Sequence, residues 1–342
     1  MGPLMQGNST LQPAIAHHQA PGYALPQALL QGVARLALRA AAVGGIVGVV
    51  SFLLMRALPG DAAYRIAAGR YGYDMVNSAA AEAVRLELGL DRPWWAQLGA
   101  WMADLLQGRL GHSLVTGDAV LEELAHQWGH TLLLALAAWA FALVLGLVGG
   151  SLVALARKAW LDRTLGTLGL ALKATPTFVV GLVLAIVLAE RAQWLPAAGH
   201  GGPEHLVLPG LALALGLAAG LGLVTLHSMR QVLASPSVAF AQTKGLPQAA
   251  VVWRHVLRNT AVPVVAYAGT QLVLLMEGVV VVESFFAWPG IGHALIHALV
   301  ARDIPMVQGT ALCMGWMFVL LNSAVDGLCW LLDPRLQHQE AS

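Results

Sequence analysis

His293 and His297 stand four residues apart, so a helix would turn both imidazoles to the same side. Paired imidazoles at that spacing can bind zinc, nickel or copper. A second group, His200, Glu204 and His205, lies in the stretch His-Gly-Gly-Pro-Glu-His. A pair of histidines without a placed third ligand is a weak metal signal, and histidines of an exposed loop account for them as simply. Lys173, Glu277, Glu283, Asn322 and Asp326 interrupt otherwise apolar runs. Charges in such runs are costly and face a cavity or a partner. Glu277, Asp326, Asn322 and Lys173 are therefore candidates for lining a solute path, where carboxylates would suit peptide termini or a cation. Bracing between helices explains them equally. No His-Glu-x-x-His occurs and no Gly-x-x-x-x-Gly-Lys-Ser/Thr phosphate loop, so neither a zinc protease nor an ATP site finds its motif here.

The composition says what must position these groups. Of 342 residues 58% are hydrophobic and 11% charged, against roughly 25% charged in a soluble domain. Mean hydropathy is +0.68. So few charges cannot cover a soluble surface of that size, and the length belongs to a membrane. A net charge of +1 provides no basic field for nucleic acid. Two cysteines, Cys313 and Cys329, exclude a disulfide framework or a cysteine-rich metal centre.

A membrane-spanning helix needs about 20 mostly apolar residues. Six runs qualify: Leu38–Met55, Thr131–Ala156, Leu165–Ala189, Leu206–Leu226, Val262–Val282 and Val307–Leu332. The fold class is an all-α integral membrane protein. Arg35, Arg39, Arg157, Lys158, Arg163, Arg230, Lys244, Arg254, Arg258 and Arg335 all fall on one side if both termini are cytoplasmic. The expected organisation is a polar cytoplasmic extension (1–32), a first span (33–57), a large extracytoplasmic loop (58–130), a core (131–336) and a tail (337–342). Within the loop, Ser78–Leu88, Pro93–Leu106 and Asp118–Gln127 read as short amphipathic helices. Pro176 should kink the third span.

Residues 228–262, between the fourth and fifth spans, carry the most information. Ser235-Pro236 is a helix start, with a hydroxyl cap and proline at the first helical position. Gly245 ends that helix and Pro247 opens another. A short helix of small residues with one aromatic, Phe240, fits a groove in a partner protein. An ordinary loop helix has the same sequence features.

Phe240-Ala241-Gln242-Thr243-Lys244-Gly245-Leu246, followed by Arg254-His255-Val256-Leu257-Arg258-Asn259 and Pro263, resembles the cytoplasmic loop of ABC importer permeases of the dipeptide/oligopeptide/nickel family. The likeness runs from about residue 33 to 336. It includes Leu58-Pro59-Gly60-Asp61, Glu87-Leu88-Gly89-Leu90-Asp91-Arg92-Pro93, Gly108-Arg109-Leu110-Gly111-His112-Ser113 and Trp160-Leu161-Asp162-Arg163. Further on come Trp194-Leu195-Pro196, Phe286-Ala287-Trp288-Pro289-Gly290-Ile291-Gly292, Arg302-Asp303-Ile304-Pro305 and Asp333-Pro334-Arg335.

The resemblance implies a permease for small peptides, or for nickel or a metal chelate. Its expected partners are a second permease, two cytoplasmic ATPase subunits and an extracytoplasmic binding protein. ATP and Mg would sit on the ATPases and no cofactor on this chain. It implies an ATPase-coupling role for Ala239, Phe240, Ala241, Lys244, Gly245 and Leu246. It gives an outer gate or docking role to Trp288, Pro289, Gly290, Arg302 and Asp303. Where the family loop carries an acidic residue and arginines, Ser235 to Ala239 are neutral here. A stand-alone secondary transporter or channel is the alternative from another class; it would need coupling charges and usually an inverted repeat.

Overall fold

The computed structural model describes residues 24–72 and 74–332, and the side chains of 24–31, 277 and 328–332 fall outside that description. Every named element among the described residues is helical. The first helix, α1 (Ala24–Ala57), begins inside the stretch expected as a polar extension. Residues 1–23 and the tail 337–342 lie outside the described residues, as does Asp333-Pro334-Arg335.

Three short helices follow: α2 (Ala62–Tyr71), α3 (Ser78–Glu87) and α4 (Trp94–Leu106). Asp61 and Asn77 cap the first two by accepting from the N–H of Ala63 and Ala80. Trp101 of α4 packs over Gly48 of α1, where a side chain would collide with the indole. The helix expected over 118–127 is no separate element. It is the first part of α5 (Val120–Ala156), a continuous 37-residue rod.

The third span departs most from expectation. It is two helices, α6 (Ala159–Ala174) and α7 (Thr177–Leu184, extended by a π-helical turn over Ala185–Arg191), bent by 107°. Proline forces its predecessor out of helical conformation. Thr175 accordingly has ψ of 127° and Pro176 ψ of 141°, so the chain turns where a mere kink was expected.

Then come α8 (Val207–Leu233), α9 (Pro236–Thr243), α10 (Gln248–Val251), a π-helical turn (Val252–Leu257), α11 (Arg258–Phe285), α12 (Ile291–Ala301) and α13 (Ile304–Leu332). Five of the helical stretches are long and apolar enough to cross a membrane, or six if the bent pair counts as one.

The centre of the bundle is the pair α5 and α8. A β-carbon on Gly146 would come within 2.6 Å of Leu221, and one on Gly150 would overlap the carbonyl of Gly222. The Gly-x-x-x-Gly spacing lets the two backbones touch, which is the main source of helix attraction in lipid. Around them α11 buries Val264, Ala268, Leu275 and Val279. The first and last helices pair through Gly315 on Val43, and the Trp316 indole donates to the carbonyl of Ala40 at 3.1 Å.

The close approach makes a sharp prediction. Gly150→Leu should destabilise the detergent-solubilised chain by about 1–3 kcal/mol, as overpacking does. Gly149→Leu, at a neighbouring position with open space around it, should stay within about 0.5 kcal/mol. Denaturant titration of both variants measures the difference.

Candidate functional site: two ends of one helical bundle

At one end, α9 lies across the bundle. Val238 and Ala241 point inward, into a cluster with Ala154 of α5, Leu226 and Met229 of α8, Val251 and Val256. Ala239, Phe240, Lys244, Gly245 and Leu246 are exposed. Phe240 is 61% exposed, with the Lys244 ammonium 4.6 Å from its ring centre. Trp253 beyond it is 75% exposed and borders an open hollow with Leu155, Gln248, Ala249 and Val252.

Ala241, expected among the contact residues, instead anchors the helix, because at helical spacing it shares the inner face with Val238. Val238 and Trp253 were not singled out for this role; the spacing Val238–Ala241 was the available signal. Ser235 does not cap α9 through its side chain; its hydroxyl pairs with that of Ser237 at 2.8 Å. Gly245 has φ of +76°, a left-handed conformation that L side chains adopt at a cost. Close by, Arg230 at the end of α8 grips both carboxylate oxygens of Asp162 in the first turn of α6, at 2.6 and 2.7 Å.

At the opposite end, residues 283–303 are tied down by buried polar groups. Trp288 is 1% exposed, and its indole donates to the carbonyl of His130 at 3.0 Å. The N–H of Ile291 donates to the Thr131 hydroxyl at 2.9 Å. Glu283 is fully buried and accepts from the N–H of Gly292 at 2.7 Å. Gly290 and Gly292 make room for that carboxyl, since a β-carbon on either would run into it. Arg302 donates to the carbonyls of Pro59 and Gly60. Asp303 accepts from the Ser113 hydroxyl, and from the N–H of Leu114 at 3.1 Å. Three separate sequence motifs, Leu58–Asp61, Gly108–Ser113 and Arg302–Pro305, thus meet at one place.

Of the residues expected to form an outer gate or docking segment, Trp288, Gly290, Arg302 and Asp303 face inward and Pro289 is half-buried, so these groups brace the segment. The exposed face of α12 is instead Ile296, Leu299 and Val300.

The histidines gather beside this segment. The rings of His293 and His297 are 4.4 Å apart, and His126, His130 and His200 meet edge to face in sequence up to Trp288. Burial, then the neighbouring His297, lowers the His293 pKa below its ordinary value. His126, His293, His297 and Glu123 line an open cleft of about 510 Å³. Among the described residues no group of three or more His, Cys, Asp or Glu side chains is gathered to hold a metal ion. His205 lies 3.5 Å from Glu204.

The remaining singled-out residues scatter. Asp326 is exposed and lies 3.6 Å from Arg39 of α1. Asn322 donates to the carbonyl of Phe318 one turn back. The Lys173 ammonium donates to the Tyr267 hydroxyl at 3.2 Å. Glu277 lies in α11 with its side chain outside the described residues. Lys173, Asn322 and Asp326 therefore do not form one constellation.

Residues 146–338 match the family model of the binding-protein-dependent transport system inner membrane component. A Brucella abortus (strain 2308) protein assigned to a peptide transport system as its permease is 35% identical over 301 residues, covering 86% of this chain and 94% of the relative. The glutathione transport system permease proteins GsiC of Escherichia coli O6:H1 and Pectobacterium atrosepticum are 34% and 35% identical over 294 residues, with the same coverage. The chain belongs to the family of binding-protein-dependent transport system inner membrane components, as a multi-pass protein of the inner membrane.

Proposed function

We propose that this chain is a permease subunit of an ATP-driven importer that moves small peptides across the inner membrane by alternating access. The observation that carries the reading is the identity of about 35% to peptide and glutathione permeases across 86% of the chain. The anchored α9 with its exposed aromatic agrees with it. In this reading the chain has six spans, both termini are cytoplasmic, and α9 lies on the cytoplasmic face. The basic residues at the α9 end fit that orientation.

Two ATPase subunits would hold ATP and Mg and grip Phe240, Leu246 and Trp253; a second permease would complete the path; a binding protein would deliver solute at the opposite end. The chain itself would carry no cofactor and no catalytic site. Because Val238 and Ala241 are packed against α5 and α8, a push on α9 passes into those helices as rigid-body motion. A nickel or chelate cargo stays the alternative within the family. A stand-alone transporter or channel is the alternative outside it.

Copurification followed by uptake tests the reading. The tagged chain should bring down two ATPases and a second permease, and ATP should drive peptide accumulation in proteoliposomes with the binding protein. Uphill uptake by this polypeptide alone would overturn it.

Gly245→Val should reduce uptake at least about tenfold, since a β-branched residue at that φ strains the turn by roughly 1–3 kcal/mol. Membrane insertion should stay intact, as membrane fractionation would show. Phe240→Ala should weaken ATPase retention during purification while leaving the permease pair together.

A further inference from the structure

The break in the third span leaves a polar group that the coupling reading does not use. Lys173 stands at the end of α6, two residues before Thr175 leaves helical conformation. Its exposed ammonium donates to the Tyr267 hydroxyl of α11 at 3.2 Å. Gln271, buried on the same helix, donates to the same oxygen at 3.0 Å. Gly220 of α8 makes the arrangement possible, since a β-carbon there would overlap the hydroxyl.

Depth follows from Gly220, which stands midway along α8 and so midway through the bundle. A lysine ammonium at mid-depth does not face lipid, and a helix broken at mid-depth lies against protein or a water-filled cavity. The chemistry is that of an anion receptor. The Tyr267 oxygen already accepts two hydrogen bonds, so its own proton is left to donate. The ammonium keeps two more N–H groups. Three donors and one positive charge, with no carboxylate bonded to either side chain among the described residues, suit the two oxygens of a carboxylate.

We infer that Lys173 and Tyr267 form a carboxylate-binding site in the solute path, which holds the C-terminal carboxylate of a peptide in transit. The inference rests on the permease reading above and adds to it the group on the solute that is recognised. A carboxylate could also come from an acidic side chain of the second permease, and the experiment separates the two sources.

Thr270 is exposed one turn from Tyr267 on α11 and serves as a reporter. Thr270→Cys is made with Cys313→Ala and Cys329→Ala, in the complete transporter reconstituted in nanodiscs. Its thiol is treated with a sulfonate-bearing and a trimethylammonium-bearing methanethiosulfonate. The sulfonate reagent should be favoured, and Lys173→Gln should lower the ratio of the two rates on the order of tenfold. Tyr267→Phe should lower it less. Trialanine should slow the reaction and trialaninamide should not.

Failure of both reagents to react would mean that lipid or the second permease covers the site, and would overturn the inference. So would reaction without a charge preference, or equal protection by acid and amide. Uptake of trialanine by the unsubstituted transporter is measured separately. Lost charge preference with normal uptake refutes the carboxylate site alone. Absent uptake refutes the peptide-importer reading, whatever the reagents report.

Discussion

Backbone contact between α5 and α8 is the constraint on which the rest depends. In lipid the apolar side chains of a helix gain little by leaving one hydrocarbon surroundings for another, so attraction comes from dispersion and close packing. Gly146, Gly150 and Gly222 remove the atoms that would hold the two rods apart. Once joined, the rods fix both ends of the molecule. At one end Ala154, Leu226 and Met229 make the floor on which α9 sits. At the other His130 and Thr131 receive Trp288 and Ile291. Displacement at α9 and packing at residues 283–303 are thus linked through the same two helices.

The two ends use different physics. The α9 end is held by apolar contacts and leaves Phe240 and Trp253 facing outward. The opposite end is held by buried hydrogen bonds: Arg302 and Asp303 bond backbone groups of distant segments, and Glu283 accepts from Gly292 nine residues on. Buried polar pairs are directional, so they specify one arrangement more sharply than they add stability.

Much of this was legible before any coordinates. The apolar runs, the helical spacing of the short loop helices and the stop at Gly245 each follow from local chemistry. The α9 helix could be located from Pro236, Gly245 and Pro247 alone. What local chemistry misjudged was continuity: the stretch from 118 to 127 looked like a separate helix, and the third span looked merely kinked. In both cases neighbours bear on the outcome: Val120 and Leu124 at the start of α5 pack against Gly309 of α13, while Gly220 of α8 and Gly278 of α11 stand against Lys173 and Thr177 on either side of the bend. The site residues were less legible still. Ala241 and Trp288 carried the right motifs with the opposite exposure, because a motif fixes identity and spacing but not which side faces the core.

The sequence by itself determined that this is a helical membrane protein, where its apolar runs lie and which family its motifs resemble, because hydropathy and turn chemistry are properties of short stretches. Only the tertiary structure decided that Arg302 meets Pro59 and Gly60, that Asp303 meets Ser113, and that Lys173 meets Tyr267. Those contacts join residues roughly 90 to 240 positions apart. Local propensity carries no information over such separations; the packing of α5, α8 and α11 brings them together.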